Sequence, residues 1–251
     1  MIGRRVLVLA PHPDDEVVGA AAAIGRAVAA GSAVSVLPLT TGIPRRDDVR
    51  RITRRRREAV AAAEALGIAI AGWSDRSSRS LKDDLAEARA ETLAAIRRVG
   101  ADRLWVPAYE GGHQDHDTAN ALAWTLRDAV EVWEFAEYGF CGCRVRANAF
   151  PRPRGDETVL ALDEAERARK RDLLRLYRSE RGNLGYVGVE RECFRRLEGY
   201  DYGRPPHDGK LFYQRFQWVP FRHPRIDFTD PLSVCDKLAA FQADYKGAPP
   251  P

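Results

Sequence analysis

Two short polar clusters hold the side chains with the clearest potential for chemistry. The first spans residues 12–16 (His-Pro-Asp-Asp-Glu), and the second spans residues 111–116 (Gly-Gly-His-Gln-Asp-His). The chain has only five histidines, and three of them lie in these clusters. The other two, His207 and His223, lie in an aromatic-rich C-terminal stretch, where we predict structural roles. Imidazole and carboxylate groups grouped in this way are typical of a metal site.

The spacing within the clusters predicts which residues would bind the metal. His12 and Asp15 are three residues apart, so one turn can point both side chains the same way. His116 can supply the third ligand. A catalytic zinc takes three such ligands and keeps an open position for water. The sequence therefore predicts a zinc site on His12, Asp15 and His116, and Fe²⁺ would suit the same ligands.

Three further residues of the clusters could do the chemistry beside the metal. Asp14 would be a free carboxylate able to take a proton from the metal-bound water, whose pKa zinc lowers to about 7. His113 lies one helical turn before His116, so it can face a developing oxyanion. Asp115 could hold the His113 imidazole in one tautomer and favour its protonated form.

Other interpretations apply to each residue taken alone. A lone histidine is usually structural, and paired aspartates are common at helix N-caps. Asp15 and Glu16 would also complement the dipole of a helix that begins there. Clustered carboxylates could instead bind Mg²⁺ for phosphoester hydrolysis, although Mg²⁺ prefers oxygen ligands to histidine. The conjunction of the two clusters favours the catalytic interpretation.

Alternating strands and helices position the clusters. Apolar runs predict strands, and amphipathic runs that end at glycine predict helices. The predicted strands are residues 5–9, 33–39, 68–73, 103–107 and 131–138, and the predicted helices are residues 17–30, 47–66, 81–99 and 115–127. This alternation predicts an α/β, Rossmann-like fold with a mostly parallel sheet and helices on both faces. Each cluster follows a strand, and ligands of such sheets bind beyond the carboxyl ends of the strands.

The second half of the chain is less regular. We expect one domain over residues 1–251, with a motif-bearing core in residues 1–140 and a C-terminal elaboration in residues 141–251. A strand near residues 159–162 and a helix over residues 164–177 are predicted there. Five aromatic residues lie between Gly203 and His223, and we interpret them as core packing or as a subunit interface in a homo-oligomer. They are Phe212, Tyr213, Phe216, Trp218 and Phe221.

Composition narrows the classes of partner. The net charge is +4, and the one basic run, residues 54–57, has no interleaved aromatics of the kind that bind nucleic acid. The longest weakly polar stretch, residues 17–31, contains Arg26 and is too short to span a bilayer. No secretory signal is visible, and the four cysteines form no C-x-x-C pair. We therefore expect a cytoplasmic enzyme with a small-molecule substrate, an anionic one included.

The two clusters together resemble the motifs of the PIG-L/LmbE-like deacetylase family. The resemblance covers about the first 140 residues and reappears near residues 170–179. The family includes deacetylases of glucosaminyl thiol precursors, of glycolipids and of antibiotic sugars. Membership implies hydrolysis of an N-acetyl group from a molecule that contains N-acetylglucosamine. It also implies zinc on the three predicted ligands, Asp14 as the base and then the acid toward the amine, and His113 as the group that stabilises the tetrahedral intermediate.

The resemblance implies two substrate contacts and shows two departures. Arg55 precedes Glu58 as a substrate-binding arginine does in relatives, although a solvated helix face is the alternative for one arginine among four. Asp75 resembles a sugar-binding aspartate of the family. Gly111 replaces a tyrosine of some relatives, and a Ser-Glu pair at residues 179–180 replaces Ser-Gln. An amidase for a larger acyl group and a non-catalytic sugar-binding module are the remaining alternatives.

Overall fold

The computed structural model describes residues 1–141, 144–221, 223 and 226–245. Nine strands and six α-helices are described there. The strands are β1 (Arg5–Ala10), β2 (Ala33–Pro38), β3 (Ala69–Ile70), β4 (Arg103–Pro107), β5 (Glu131–Phe135), β6 (Tyr138–Cys141), β7 (Arg144–Ala147), β8 (Thr158–Ala161) and β9 (Arg191–Arg196). The α-helices are α1 (Asp15–Ala29), α2 (Val49–Leu66), α3 (Leu85–Val99), α4 (Gln114–Trp124), α5 (Glu164–Leu176) and α6 (Pro231–Tyr245).

Seven of the strands form one mixed sheet in the order β3-β2-β1-β4-β5-β9-β8. The first five are parallel to one another, and β9 and β8 are antiparallel to their neighbours. The strand order reverses between β1 and β4, which are hydrogen-bonded neighbours. The predicted α/β class is confirmed, and a crevice beyond the carboxyl ends of β1 and β4 is the expected ligand position.

Strand β1 shows why helices pack on both faces of the sheet. Its side chains alternate, and all but the first are buried. Leu7 and Leu9 pack with the apolar sides of α3, α4 and α6. Val6 and Val8 pack on the other face with those of α1, α2 and α5. A strand that is buried on both faces has a nearly continuous run of apolar residues, as β1 does.

Two predicted strands end earlier than the sequence suggests. The edge strand β3 keeps only two residues of the predicted run. Strand β5 ends at Phe135, and residues 138–141 form a separate hairpin with β7. The chain leaves the sheet because the buried Glu110 carboxylate accepts hydrogen bonds from the backbone N–H groups of Glu137 (2.8 Å) and Tyr138 (3.0 Å).

Strand β9 was not predicted because two of its four buried side chains are charged. Arg195 pairs with Glu134 at 2.6 Å, and Glu192 pairs with Lys170 of α5 at 2.9 Å. All four residues are buried. Polar residues normally indicate an exposed face, so a strand whose charges are neutralised by buried partners has no apolar signal.

Replacing Lys170 with Met tests the buried pair. We expect the free energy of unfolding to fall by about 3–5 kcal/mol, because the buried charge of Glu192 loses its partner. That carboxylate also accepts hydrogen bonds from the backbone N–H groups of Ala22 and Ala23, each at 2.9 Å. Urea denaturation measures the change, with the exposed Lys210→Met variant as control. A loss below about 1 kcal/mol would show that the helix N–H groups suffice for Glu192.

The aromatic C-terminal stretch is only partly buried. Phe212 and Tyr213 are buried, as expected for core packing. Phe216, Trp218 and Phe221 are instead 48%, 74% and 61% exposed, because they lie on the surface of the segment that precedes α6. No helix among the described residues is both long and apolar enough to cross a membrane. Cys193 and Cys235 are buried free thiols, and Cys143 lies outside the described residues.

Candidate metal-binding active site

The first cluster occupies the turn between β1 and α1. Helix α1 begins at Asp15, and Asp14 precedes it with φ 139° and ψ −20°. A non-glycine residue at positive φ is strained, and such strain is concentrated at functional sites. Asp15 lies on the first helical turn, where its carboxylate accepts a hydrogen bond from the backbone N–H of His12 at 2.7 Å. This local turn directs both side chains to one side.

The second cluster occupies the turn between β4 and α4. Gly111 has φ 72°, and a Cβ there would lie 2.8 Å from the Leu211 side chain. A Cβ at Gly112 would lie only 2.3 Å from the carbonyl oxygen of Tyr138. Some relatives have a tyrosine at the position of Gly111. Here the space into which such a side chain would project is filled by the C-terminal part of the chain. His113 then caps α4, and its Nδ1 accepts a hydrogen bond from the Asp115 backbone N–H at 3.0 Å.

The clusters meet because β1 and β4 are adjacent. His116 Nε2 lies 3.3 Å from Asp15 Oδ1 and 3.3 Å from His12 Nδ1. His12 Nδ1 lies 3.5 Å from Asp15 Oδ2. Donor atoms that share a tetrahedral zinc, at bond lengths of about 2.0–2.2 Å, lie about 3.3–3.5 Å apart. The three predicted ligands are therefore brought together, with His12 near one carboxylate oxygen of Asp15 and His116 near the other.

The imidazoles of His12 and His116 each contact a second buried carboxylate, through the ring nitrogen that faces away from the other predicted ligands. Asp115 Oδ2 lies 2.9 Å from His12 Nε2, and Glu137 Oε2 lies 3.2 Å from His116 Nδ1. Neither oxygen of Glu137 has a hydrogen-bond partner in the described part of the chain, which leaves the imidazole as its polar contact. Carboxylates behind metal-bound histidines fix the ring orientation and raise its basicity.

Glu137 was missed by the sequence analysis because it stands outside both clusters. The only local signal is its place just beyond the carboxyl end of β5, next to β4 in the sheet. Its approach depends on Gly19 of α1, where a Cβ would lie 2.9 Å from Glu137 Cγ. Burial and the neighbouring Asp15 raise the pKa of Glu137 well above its usual range. Glu137 therefore needs a nearby cation to carry a negative charge at neutral pH.

The structure corrects the expected partner of Asp115. Its carboxylate was predicted to hold His113, but it contacts His12, and it also accepts a hydrogen bond from the Arg79 backbone N–H at 2.6 Å. His113 Nδ1 is 3.8 Å from Asp115 Oδ2 and already accepts a backbone N–H. Burial and the nearby His12 lower the pKa of His113 well below 6.5. The His113 imidazole is therefore neutral, with its proton assigned to Nε2.

Asp14 is buried beside the ligand cluster with Arg55 as its partner. Arg55 Nη2 lies 2.8 Å from Asp14 Oδ2. Arg55 Nε donates a hydrogen bond to the Pro13 carbonyl at 2.8 Å, and its Nη1 contacts Glu180. Burial raises the pKa of Asp14 to about 7, and Arg55 opposes this rise. Such a carboxyl group is suited to exchange a proton near neutral pH.

The two predicted substrate contacts differ in position. Arg55 lines the cavity of the site. Its guanidinium already contacts three protein groups, so its first role is to hold Asp14. Asp75 does not line the cavity. Its carboxylate is 93% exposed and pairs with Arg56 at 2.6 Å. The structure does not bring Asp75 to the other site residues, because the loop after β3 turns it outward.

A cavity of about 320 Å³ opens over the ligand cluster. Its floor includes His12, Asp14, Asp15 and His113. Its walls carry five arginines and four aromatic residues, which are Arg45, Arg51, Arg55, Arg79, Arg215, Tyr138, Tyr186, Tyr213 and Phe216. The C-terminal segment is fixed to the second cluster, since the Gln114 side-chain amide donates to Asp227 at 2.6 Å. A small organic substrate can reach the site.

The donor set fits a divalent cation. Three acidic groups surround the two imidazoles, and Asp15 and Asp115 raise the pKa of His12 to about 10 even though burial acts to lower it. The surroundings thus favour positive charge at this point, and a metal competes with protons for the same ligands. His12, His113 and His116 form one group of mutually close donor atoms, and Asp15, His116 and Glu137 form another.

Comparisons with known proteins show which family the first half of this chain resembles. Residues 7–126 match the family model PIG-L, GlcNAc-PI de-N-acetylase. The chain is 34% identical over 134 residues to 2'-N-acetylparomamine deacetylase of Streptomyces fradiae. That match covers 45% of this chain and 48% of the relative. The chain is 32% identical over 157 residues to 1D-myo-inositol 2-acetamido-2-deoxy-alpha-D-glucopyranoside deacetylase of Thermobispora bispora, covering 49% of this chain and 51% of the relative. The chain spans about half the length of these relatives.

Solved structures share the fold. The zinc-inhibited form of teicoplanin deacetylase Orf2 aligns with a TM-score of 0.59 and 18% identity, over 78% of this chain and 100% of that one. GalB of Pseudomonas putida, a 4-carboxy-2-hydroxymuconate hydratase, aligns with a TM-score of 0.52 and 18% identity, over 79% of this chain and 98% of that one. The fold therefore accommodates more than one reaction. The family match over residues 7–126 and the two deacetylase relatives confirm the resemblance to the PIG-L family that the two motifs indicate.

Proposed function

We propose that this protein is a metal-dependent N-deacetylase. It would hydrolyse the acetamide of an N-acetylated amino sugar, such as an N-acetylglucosamine derivative, to acetate and a free amine. The observation that supports this best is that His12, Asp15 and His116 converge beside Asp14, whose buried carboxyl group has a pKa raised to about 7. Asp14 lies at the floor of an open cavity. The two deacetylase relatives support the class of reaction and substrate.

His12, Asp15 and His116 would hold the metal. When bound there, a divalent cation supplies Lewis-acid polarisation of a carbonyl oxygen and lowers the pKa of water. Zinc suits two imidazoles and one carboxylate, and Fe²⁺ suits the same set. Zinc inhibits the teicoplanin deacetylase named above, so the metal must be titrated rather than added in excess.

Asp14 and His113 would carry out the proton transfer and the charge stabilisation. Asp14 takes a proton from the attacking water as the new C–O bond forms on the acetamide carbon. His113, neutral and protonated at Nε2, donates a hydrogen bond to the acetamide oxygen as negative charge develops. Asp14 then gives its proton to the nitrogen as the C–N bond breaks. Asp115 and Glu137 hold the ligand imidazoles, and Arg55 holds Asp14.

The rate is expected to rise with pH as Asp14 loses its proton. Arg55 opposes the raised pKa of Asp14, so Arg55→Gln should move the acid limb of kcat/KM to higher pH and reduce activity more at low pH than at high pH. A cation on Asp15 lowers the pKa of Asp14 as well, so the acid limb of the loaded wild type should lie below about pH 7. The exposed Arg57→Gln variant is the control. An unchanged profile in Arg55→Gln would exclude this role.

Acetate release tests the proposed function. The metal-loaded protein is incubated with a panel of N-acetylglucosamine glycosides, beside a chelated sample and the Asp14→Ala variant. Acetate and one equivalent of amine are expected from the loaded wild type only. Larger N-acyl groups in the panel test the amidase alternative, and phosphate release with Mg²⁺ tests the phosphoesterase alternative. Sugar binding without turnover would favour a non-catalytic binding module.

A further inference from the structure

We propose that Arg215 and the aromatic rings around it form a subsite for an anionic group of the substrate, a carboxylate or a phosphate borne beside the amino sugar. This inference rests on the proposed function and names its substrate class. Arg215 lies in the C-terminal segment, outside the residues matched by the family model. It lines the same cavity as the proposed metal ligands His12 and Asp15.

The guanidinium of Arg215 is held in place by its neighbours. Its central carbon lies 4.1 Å from the ring centroid of Phe212, 4.8 Å from that of Phe216 and 5.7 Å from that of Tyr186. One of its N–H groups donates to the Phe212 carbonyl at 3.0 Å. A guanidinium supplies five N–H donors in a planar fork that matches carboxylate or phosphate. The remaining donors of Arg215 are thus preorganised for such a group.

The charge of Arg215 has no counterion among the described residues. Three other cavity arginines lie within 4.0 Å of a carboxylate, in the pairs Arg45–Asp47, Arg51–Asp48 and Arg79–Asp227. Arg55 contacts both Asp14 and Glu180. For Arg215, the described part of the chain places no carboxylate within that distance. An arginine at a cavity wall without a counterion can bind an anionic ligand at little cost in broken contacts.

Aromatic rings connect this subsite to the catalytic floor. Tyr186 packs edge-on against Tyr138 at 5.1 Å and against Phe212 at 5.0 Å, and Tyr138 packs against the ligand His116 at 5.6 Å. Burial raises the pKa of Tyr186 to about 12, with Arg215 opposing the rise and Asp14 adding to it. Tyr186, Arg215 and Asp14 all line the same cavity. A substrate of sugar size, with its anion at Arg215, can place its acetamide at the metal ligands.

The test compares substrates that differ in one charge. N-acetylglucosamine 1-phosphate and the carboxymethyl glycoside of N-acetylglucosamine are compared with the neutral methyl glycoside. We expect the wild type to prefer the anionic pair. Arg215→Met should reduce kcat/KM for that pair about 10- to 100-fold, mainly through KM, because a charged hydrogen-bonded contact is lost. The neutral glycoside should change little, and Arg215→Lys should retain part of the preference.

A matched control and a binding measurement separate the possible failures. Arg204→Met removes an exposed arginine that does not line the cavity and should leave the preference unchanged. An equal loss for neutral and anionic substrates in Arg215→Met would overturn the subsite, as would a wild type without preference. If no substrate releases acetate, the proposed function fails. Calorimetric binding of N-acetylglucosamine 1-phosphate to wild type and Arg215→Met then decides the subsite alone, with equal affinities overturning it.

Discussion

Replacing Asp14 with Asn is expected to lower kcat about 10²- to 10⁴-fold, the usual contribution of a general acid–base group, while the metal content stays at the wild-type level. Asparagine has nearly the same shape as aspartate, so this substitution should add little strain to the backbone at position 14. It cannot accept the proton of the attacking water. Glu180 still neutralises Arg55 in this variant, so the fold should persist. Acetate release and metal analysis on the same sample measure the two effects.

The exposed Asp75→Asn variant is the matched control for Asp14→Asn. Its carboxylate is 93% exposed and, among the described residues, forms an ion pair with Arg56 alone, so kcat should not change. A raised KM in Asp75→Asn would return Asp75 to the substrate contacts that the family resemblance implies. Wild-type kcat in Asp14→Asn would contradict the assignment of Asp14, and loss of metal in that variant would indicate a ligand rather than a base.

Removal of the metal is expected to abolish activity and to lower the melting temperature. The three donor atoms surround a point where acidic groups accumulate, so binding a cation there stabilises the folded state. At a free metal concentration of 100 times Kd the gain is about 2.7 kcal/mol. Activity should return as substoichiometric Zn²⁺ or Fe²⁺ is added back to the chelated protein. Binding should weaken as pH falls, because protons compete for His12 and His116.

Substitutions at His116 and at Glu137, which contacts it, should reduce metal binding to different degrees. His116→Ala removes a ligand and should abolish stoichiometric binding. Glu137→Gln keeps the ligand but loses the carboxylate behind it, so metal affinity should fall about 10- to 100-fold. Activity should recover in Glu137→Gln at higher metal concentration but not in His116→Ala. Full activity in the chelated wild type, or restoration by Mg²⁺ alone, would contradict the ligand assignment.

Local spacing was sufficient to predict the fold class and to predict that the proposed ligands lie together. His12 and Asp15 are three residues apart at the start of a helix, so one turn directs them together. The alternation of strands and helices implies a parallel sheet, and clusters that follow strands lie at one edge of it. The pairing of β1 with β4 then brings His116 to them. Each of these steps depends on the order and spacing of residues along the chain.

The partner of Asp115 could not be predicted in this way. Asp115 is two residues from His113, and residues two apart on a helix do not share a face. Its carboxylate therefore points away from that imidazole. It meets His12 of the other cluster and the backbone of the loop before α3. Arg55 and Asp14 are likewise 41 residues apart, and only the packing of α2 against the first cluster joins them.

The sequence by itself determined the sheet and the proximity of the proposed metal ligands and Asp14, because short-range periodicity decides which side chains share a turn or an edge. The tertiary structure alone decided what lies behind and above them. Glu137 behind His116, Arg55 on Asp14 and Arg215 on the cavity wall come from segments distant in sequence, and their contacts depend on how helices and loops pack. Burial then sets the protonation of Asp14 and His113, which no spacing along the chain can indicate.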